Sequence, residues 1–466
     1  MAPKFGTSGV RGLVTELTET LVADYVAAFI AECATSDTIY IGWDLRESSP
    51  EIAHTCIETA QSFGISVVNC GVLPTPALAY AAQKAKAGAI MVTGSHIPAD
   101  RNGIKFYTVE GEITKADEAR ITEALGRPVQ SDSPKGRNID GALAANALFK
   151  TRYTSIFSNT LLAGLRIGVY QHSSVARDIL MELLQDLGAT AVALERTDSF
   201  VPVDTEAVDQ SARAKFSGWC QQHSLDALVS TDGDADRPML TDSQGNVVAG
   251  DVLGAITARY LGATELCTPV SSNTMISEMS EFAEIHLTQI GSPYVVASIE
   301  QALAARADVK VVGYEANGGF LLGFTYQSEF GSIEPLLTRD CILPILATLA
   351  AARQANTSVS DLIQTLPNRF TAADRIAGVK PEASKSFLND LQKSADKRQE
   401  FFTADSEEIA LDCTDGLRVS FANGDIVHLR PSGNAPEFRC YAESVNAERS
   451  RELVSLHLQR VASQLR

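Results

Sequence analysis

Three aspartates at alternate positions, Asp232, Asp234 and Asp236, run directly into Arg237 in the segment Leu228-Val-Ser-Thr-Asp-Gly-Asp-Ala-Asp-Arg-Pro238. Separated only by Gly and Ala, they point to the same side of an extended chain. Carboxylates packed about 4 Å apart repel by roughly 1 to 4 kcal/mol per pair, depending on the local dielectric. A hard divalent cation removes that repulsion, and an all-oxygen ligand set suits Mg2+ better than zinc. An EF-hand loop is excluded, because its sixth position would be Arg237 instead of Gly and its twelfth Ser243 instead of Glu. The alternative is a solvated acidic turn. The apolar strand leading in and the Arg-Pro leading out weigh against it.

Ser95 is the second chemically loaded position. It lies in Gly88-Ala-Ile-Met-Val-Thr-Gly-Ser95-His96-Ile-Pro98-Ala-Asp-Arg101-Asn102-Gly103-Ile-Lys105. The apolar run predicts a buried strand, followed at once by a hydroxyl, a histidine, a proline and a basic tail. A serine held where a strand gives way to a loop suits a group that is attacked or that carries a phosphate. Most Thr-Gly-Ser sequences are only turns, so its weight comes from the other loops.

Three further loops offer ligands. Val311-Val-Gly-Tyr-Glu315-Ala-Asn317-Gly-Gly319 places Glu315 and Asn317 among glycines, where they could bond vicinal hydroxyls of a sugar; a glycine turn with a capping Asn fits equally well. Leu429-Arg430-Pro-Ser432-Gly433-Asn434-Ala-Pro-Glu-Phe-Arg439 supplies a guanidinium, a hydroxyl, an amide and backbone N–H groups around a glycine. Those are the parts of an anion nest, and equally of an ordinary Pro-Ser-Gly turn. Phe5-Gly-Thr-Ser-Gly-Val-Arg11-Gly12 adds a positive charge beside permissive glycines, against the alternative of a flexible terminus. It is not a P-loop, since the GK[ST] ending is absent.

The elements that must position these loops follow one repeated plan of strand, amphipathic helix and strand. The first is Thr38 to Gly42, a helix from about Ser49 to Phe63, then Ile65 to Val68; the second is Leu165 to Tyr170, a helix from about Val175 to Leu187, then Ala189 to Leu194. The third is Glu265 to Val270, a helix near Thr274 to Phe282, then Ile285 to Gln289. Apolar spacing of three and four residues carries the helices, and Gly64 and Gly188 stand where C-caps belong. Repeated βαβ units imply mostly parallel sheets covered by helices on both faces. After about Ala372 the pattern changes to alternating strands, 416–421 and 425–429, around Asn423-Gly424, a hairpin signal, and then a helix from about Ala447 to Gln464. Boundaries are expected near Asp140, Thr241 to Gly250, and Leu366 to Thr371.

The whole chain narrows the classes. Its 466 residues exceed one core, so two to four domains are expected. The eight cysteines are scattered without CxxC pairs and read as buried, reduced thiols, while the seven histidines form no zinc motif. A net charge of −18 argues against nucleic acid, so an anionic substrate would need local Arg and Lys clusters of the kind the loops supply. The most apolar segment, Cys341 to Ala352, is too short for a membrane span and contains Pro344. The N-terminus lacks signal-peptide character, which predicts a cytoplasmic location.

In this order the loops resemble those of the α-D-phosphohexomutase superfamily, which includes phosphomannomutase and phosphoglucomutase, and the resemblance spans the chain. Thr93-Gly-Ser95-His96 with Asn102-Gly103-Ile-Lys105 is similar to the family's phosphoserine loop, Asp232 to Arg237 to its metal loop, Gly313 to Gly319 to its sugar-hydroxyl loop, and Arg430 to Pro436 to its phosphate loop. The resemblance implies four domains around a central cleft: three related α/β domains with mixed, mostly parallel sheets, and a smaller C-terminal α+β domain. Their expected limits are 1–140 (phosphoserine loop), 141–245 (metal loop), 246–368 (sugar loop) and 369–466 (phosphate loop).

It further implies a mutase that interconverts hexose 6-phosphate and hexose 1-phosphate through phosphorylated Ser95 and a bisphosphosugar that turns around without leaving. Ser95, Asp232, Asp234 and Asp236 would hold Mg2+. Arg11, Lys105 and Arg237 would stabilise the transferring group, with Lys105 preferred over His96 for moving protons. Glu315 and Asn317 would bind sugar hydroxyls, and Arg430, Ser432, Gly433 and Asn434 the non-reacting phosphate. A hexose 1,6-bisphosphate activator, a phosphosugar as the only partner and a monomer or weak homodimer belong to the same expectation.

Four departures blur which sugar is bound. Asn317 stands where many relatives have serine, Gly319 where some mannose-acting relatives have histidine, and Asn434 where threonine is common; Gln289 to Tyr294 lacks a charge seen in several relatives. Mannose is preferred over glucose and glucosamine. A serine- and Mg2+-dependent sugar phosphatase and a non-catalytic sugar-phosphate binding protein are the competing readings.

Overall fold

The computed structural model describes residues 3–6, 9–33, 36–127, 134–402, 406–432 and 437–465. The first repeat is the strand Thr38–Trp43, the helix Ser49–Ser62 and the strand Ser66–Val72. Thr38–Trp43 runs parallel to Ser66–Val72 on one side and to Gly88–Val92 on the other. The second repeat is Arg166–His172, the helix Arg177–Asp186 and Thr190–Arg196, again parallel. That helix buries Ile179, Leu180, Leu183 and Leu184 on one face. Truncating such a leucine to alanine typically costs about 2–5 kcal/mol. Gly64 and Gly188 follow their helices with left-handed φ of 79° and 92°, as C-caps require.

The third repeat departs from expectation. Glu265–Pro269 and Glu284–Thr288 pair in parallel, but the segment between them holds only a single 3-10 turn, Thr274–Glu278, in place of a helix to Phe282. Met275, Ile276, Met279 and Phe282 are all buried, so the helical spacing of apolar residues was real. The helix is cut short because Asn273 caps Met275 N–H, Glu443 from the C-terminal sheet holds Thr274, and Met279 adopts extended φ and ψ.

The sheets are mixed in one consistent way. In each α/β sheet an inner parallel strand is followed by an antiparallel neighbour: Gly88–Val92 with Arg101–Thr108, Ala227–Thr231 with Pro238–Thr241, and Val311–Tyr314 with Phe320–Leu322. Residues 93–100, 232–237 and 315–319 are the connections of these hairpins. The N-terminal segment is not a loose end. Val10–Leu13 pairs with Arg101–Thr108 and sets Arg11 opposite Gly103.

The C-terminal sheet is antiparallel throughout and carries the predicted hairpin as Leu417–Phe421 and Ile426–Pro431, backed by the helix Ala447–Leu465. It closes its own apolar core, which includes Val379, Leu417, Val427, Leu453 and Val461. A larger core runs continuously through the preceding sheets. Polar contacts join the last unit to the rest: Glu443 to Thr274, Asp415 to the Ile290 N–H, and Arg375 to Asp204 at 3.7 Å.

All eight cysteines are free thiols, and seven are buried as expected. Cys413 is exposed, because it lies in the turn after the strand Glu408–Asp412 instead of on a core-facing position. No helix among the described residues is long and apolar enough to cross a membrane.

Candidate active site

Ser95 leaves its strand in the left-handed region, with φ of 53°, a conformation that costs a non-glycine residue of order 1–3 kcal/mol and persists where the surroundings enforce it. The enforcement is visible. Thr93 Oγ1 accepts the Ser95 N–H at 2.8 Å and donates to Asp44 Oδ2 at 2.7 Å. Buried Arg46 donates to the carbonyls of Ser95 (2.8 Å), Ile97 (2.6 Å), Pro98 (2.7 Å) and Arg101 (2.9 Å), and its Nε reaches Asp44 at 3.2 Å. Phe200 stacks on the same guanidinium at 3.9 Å. So held, Ser95 Oγ donates to Asp232 Oδ2 at 2.7 Å and lies 3.3 Å from His96 Nδ1.

The acidic loop meets it from the second sheet. Asp232, Asp234 and Asp236 are all buried and offer carboxylate oxygens within 4.8 Å of one another. Asp232 Oδ1 is consumed within its own loop, accepting the N–H groups of Asp236 and Arg237. Lys105 Nζ donates to Asp234 Oδ2 and Asp236 Oδ2, each at 2.7 Å. Thr75 bonds Asp234 Oδ2 at 2.7 Å, and Arg339 donates to Asp236 Oδ2 through Nη2 (2.6 Å) and Nε (3.1 Å). Asp234 Oδ1 and Asp236 Oδ1 are left buried without a hydrogen-bond partner among the described residues. Two orphaned anionic oxygens beside Asp232 and a serine hydroxyl form an oxygen donor set that fits Mg2+.

The charges divide sharply. Burial, then the charges of Asp234 and Asp236, push Asp232 well above the usual carboxylate range. Burial also disfavours charge on Asp234 and Asp236, but Lys105, with Thr75 at the first and Arg339 at the second, holds both below it. Burial works against Lys105 as well, and the two aspartates outweigh it, so the ammonium is raised and stays charged. His96 is pressed far below its ordinary value by burial and then by Arg237, Arg11 and Arg439, so the imidazole is neutral. Arg11 falls to about 10 through burial and the neighbouring Arg237 and Arg339, and its Nε has no hydrogen-bond partner among the described residues. Arg237 Nε stands 3.8 Å from Asp236 Oδ1 and 4.0 Å from Asp232 Oδ2 without a hydrogen bond. The result is a cationic rim facing three carboxylates. It can receive a phosphoryl group.

The sugar-loop candidates lie beside this centre. Arg339 Nη1 donates to Glu315 Oε2 at 3.0 Å, which links the third loop to the second. Asn317 spends its side-chain oxygen on the Gly319 N–H at 3.0 Å, and its carbonyl accepts from Thr205 Oγ1 at 3.0 Å. Arg430 pairs through Nε with Asp415 Oδ1 at 3.1 Å, and Ser432 N–H donates to the Glu437 carbonyl at 2.8 Å. Gly433 and Asn434 lie outside the described residues.

The phosphoglucomutase/phosphomannomutase alpha/beta/alpha domain I model matches residues 2–130, domain II 149–245, domain III 249–370, and the C-terminal domain 376–455. The chain belongs to the phosphoglucomutase/phosphomannomutase family. A phosphomannomutase of Sinorhizobium fredii is 42% identical, with 98% of each chain covered. A phosphomannomutase of Salmonella muenchen is 41% identical over 99% of this chain and 96% of its own. Among solved structures, a phosphoglucomutase/phosphomannomutase family protein of Burkholderia thailandensis superposes with a TM-score of 0.74 at 17% identity, covering 100% of this chain and 98% of its own, and supports the fold. The enzyme is an isomerase, an intramolecular phosphotransferase with the four-domain α/β architecture of this phosphohexomutase family.

Several residues of the mutase site were not singled out from sequence. Arg46 and Asp44 follow an apolar strand as a charged pair, Asp44-Leu-Arg46, and Arg339-Asp340 is a charged pair wedged between Leu336-Leu337 and the apolar helix Ile342–Gln354. Buried charge next to apolar runs was the available signal. Thr75 carried none.

Proposed function

We propose that the enzyme interconverts mannose 6-phosphate and mannose 1-phosphate, with Ser95 as the phosphate carrier. The observation that carries this reading is the buried Ser95 hydroxyl, 2.7 Å from Asp232 and beside the orphaned Asp234 and Asp236 oxygens. The two relatives at 41–42% identity, both phosphomannomutases, support the choice of sugar.

In this reading Asp232, Asp234, Asp236 and the Ser95 oxygen hold Mg2+. When bound, the ion neutralises the carboxylates and the charge on the transferring phosphoryl group. The chain's own part is positioning. A sugar hydroxyl attacks phosphorus, a new P–O bond forms, the bond from Ser95 Oγ breaks with a proton taken up on that oxygen, and the hydroxyl proton leaves to a nearby base. Lys105, gripped by Asp234 and Asp236, and His96, 3.3 Å from the leaving Ser95 Oγ, are the candidates for moving that proton. Lys105, Arg11 and Arg237 then serve as fixed positive charge.

Glu315 and Asn317 orient the sugar hydroxyls, and Arg430, Ser432, Gly433 and Asn434 take the distal phosphate. The bisphosphate formed turns around, and its other phosphate returns to Ser95. The same reading includes a hexose 1,6-bisphosphate activator, domain limits at 140, 245 and 368, a monomer or weak homodimer, and a cytoplasmic location.

The test is incubation with mannose 6-phosphate, glucose 6-phosphate or glucosamine 6-phosphate, Mg2+ and a trace of the matching 1,6-bisphosphate. Preferential formation of mannose 1-phosphate is expected. A preference for another sugar moves the assignment within the family, and steady release of free phosphate would mark a phosphatase. No 1-phosphate from any of the three would sink the mutase reading.

A further inference from the structure

Glycine at 319 is a physical requirement. A Cβ built there would lie 2.5 Å from Arg339 Cδ, 2.7 Å from Cγ and 3.0 Å from Cβ. The arginine stem therefore fills the space next to the sugar loop that a side chain at 319 would use. It arrives from a different element, the strand Leu336–Asp340.

The guanidinium of Arg339 is buried and uses two sides. Nε and Nη2 close on Asp236 Oδ2 at 3.1 and 2.6 Å, while Nη1 holds Glu315 Oε2 at 3.0 Å. With Lys105 also on Asp236 Oδ2, the hydrogen-bonding cations of that carboxylate share one oxygen, and Oδ1 makes no hydrogen bond among the described residues, with Arg237 Nε 3.8 Å away. A planar fork of donors can satisfy two carboxylates at fixed angles; a lysine ammonium at the same site cannot reproduce both.

We propose that Arg339 is a positioning residue that ties the acidic loop to the sugar loop. It aims Asp236 Oδ1 at the cation and Glu315 at the substrate. The proposal rests on the mutase reading only where it concerns the sugar. The aiming of Asp236 is independent of it.

The experiment uses the full-length protein and three variants, each checked by circular dichroism. Calorimetric titration with Mg2+ in the absence of sugar reports on Asp236. The KM for mannose 6-phosphate, separated from kcat, reports on Glu315. Removing an outer partner of a metal ligand typically weakens metal binding about 10–100-fold, so Arg339→Met should lose at least about tenfold in Mg2+ affinity and raise KM by a similar factor. Arg339→Lys should recover Mg2+ affinity to within about threefold of wild type while KM stays raised about tenfold, since one point charge serves one carboxylate.

Gly319→Ala keeps every charge and only displaces the stem. It should weaken both readouts together. If Arg339→Met fails to fold, the other two variants decide. Arg339→Lys with KM within twofold of wild type, or Gly319→Ala within twofold on both readouts, overturns the proposal. Wild-type protein inactive on every hexose phosphate would remove the mutase reading, yet the Mg2+ titrations would still decide whether Arg339 aims Asp236.

Discussion

Ser95 Oγ donates a 2.7 Å hydrogen bond to Asp232 Oδ2 across 137 positions of sequence. Two hairpin tips from different sheets thus meet hydroxyl to carboxylate. The most direct prediction follows. Ser95→Ala should show no detectable turnover, and intact-mass analysis of wild-type protein incubated with a hexose 1,6-bisphosphate should show one added phosphoryl group that the variant lacks. Measurable turnover in Ser95→Ala would refute the carrier role.

Arg46 bonds Asp44 and ties together four backbone carbonyls of the serine loop. Lysine keeps the charge beside Asp44 and loses the fork. Hydrogen bonds from charged donors are worth about 1.5–3 kcal/mol each, so Arg46→Lys should lower unfolding free energy by roughly 2–4 kcal/mol and depress kcat more than KM. Urea denaturation and steady-state kinetics check both. Wild-type values for the two would show that the loop holds itself.

A buried carboxylate away from the acidic loop makes a pH prediction. Asp251 accepts the N–H groups of Val252 and Asn273, and burial lifts it to about 7. Its unfolded value is near 3.9, so between about pH 4 and 7 the native state keeps a proton that the unfolded chain has lost, and stability from this group falls as pH rises. His172 and His428, each driven down to about 4 mainly by burial, act on the other flank and remove stability as pH falls below about 6.5. Asp251→Asn should therefore gain on wild type between pH 5 and 8, by at most roughly 3 kcal/mol. Parallel stability profiles for the two proteins over that range would contradict the assignment.

The link to the C-terminal domain can be opened selectively. Glu443 accepts from Arg369 Nε at 2.5 Å and from the Thr274 N–H at 2.9 Å, while Arg369 also donates to the Gly424 carbonyl at 2.8 Å. Because the domain has its own core, Glu443→Gln should free Arg369 without unfolding the sheet. Trypsin cleavage after Arg369 should then accelerate about tenfold or more under native conditions, since cutting tracks the open population. Unchanged cleavage would mean that the junction is held elsewhere.

How far the sequence could be read depended on the range of the interactions. Ser95 and the Asp232-Gly-Asp234-Ala-Asp236 loop were legible because their chemistry is written in consecutive residues. The parallel strands were legible because apolar runs of strand length alternate with helical spacing. Arg46 and Arg339 were not, because each is defined by partners far along the chain, Ser95 for one and Asp236 for the other. The same holds for Thr75 on Asp234. The third repeat misled because Met275, Ile276, Met279 and Phe282 have helical spacing and are indeed buried, while Glu443 from another domain fixes the turn that ends the helix. Charge pairing was also illegible: that both Asp234 and Asp236 grip Lys105 appears only once the two sheets are brought together.

Residues 93–100, 232–237 and 315–319 each join an inner parallel strand to an antiparallel neighbour. A loop set between two paired strands holds its side chains at fixed places only while the register on both sides is kept, because a one-residue slip of the outgoing strand would turn its buried side chains outward. Anyone seeking to redirect the specificity of this protein should recombine residues inside these hairpins and leave their spans untouched.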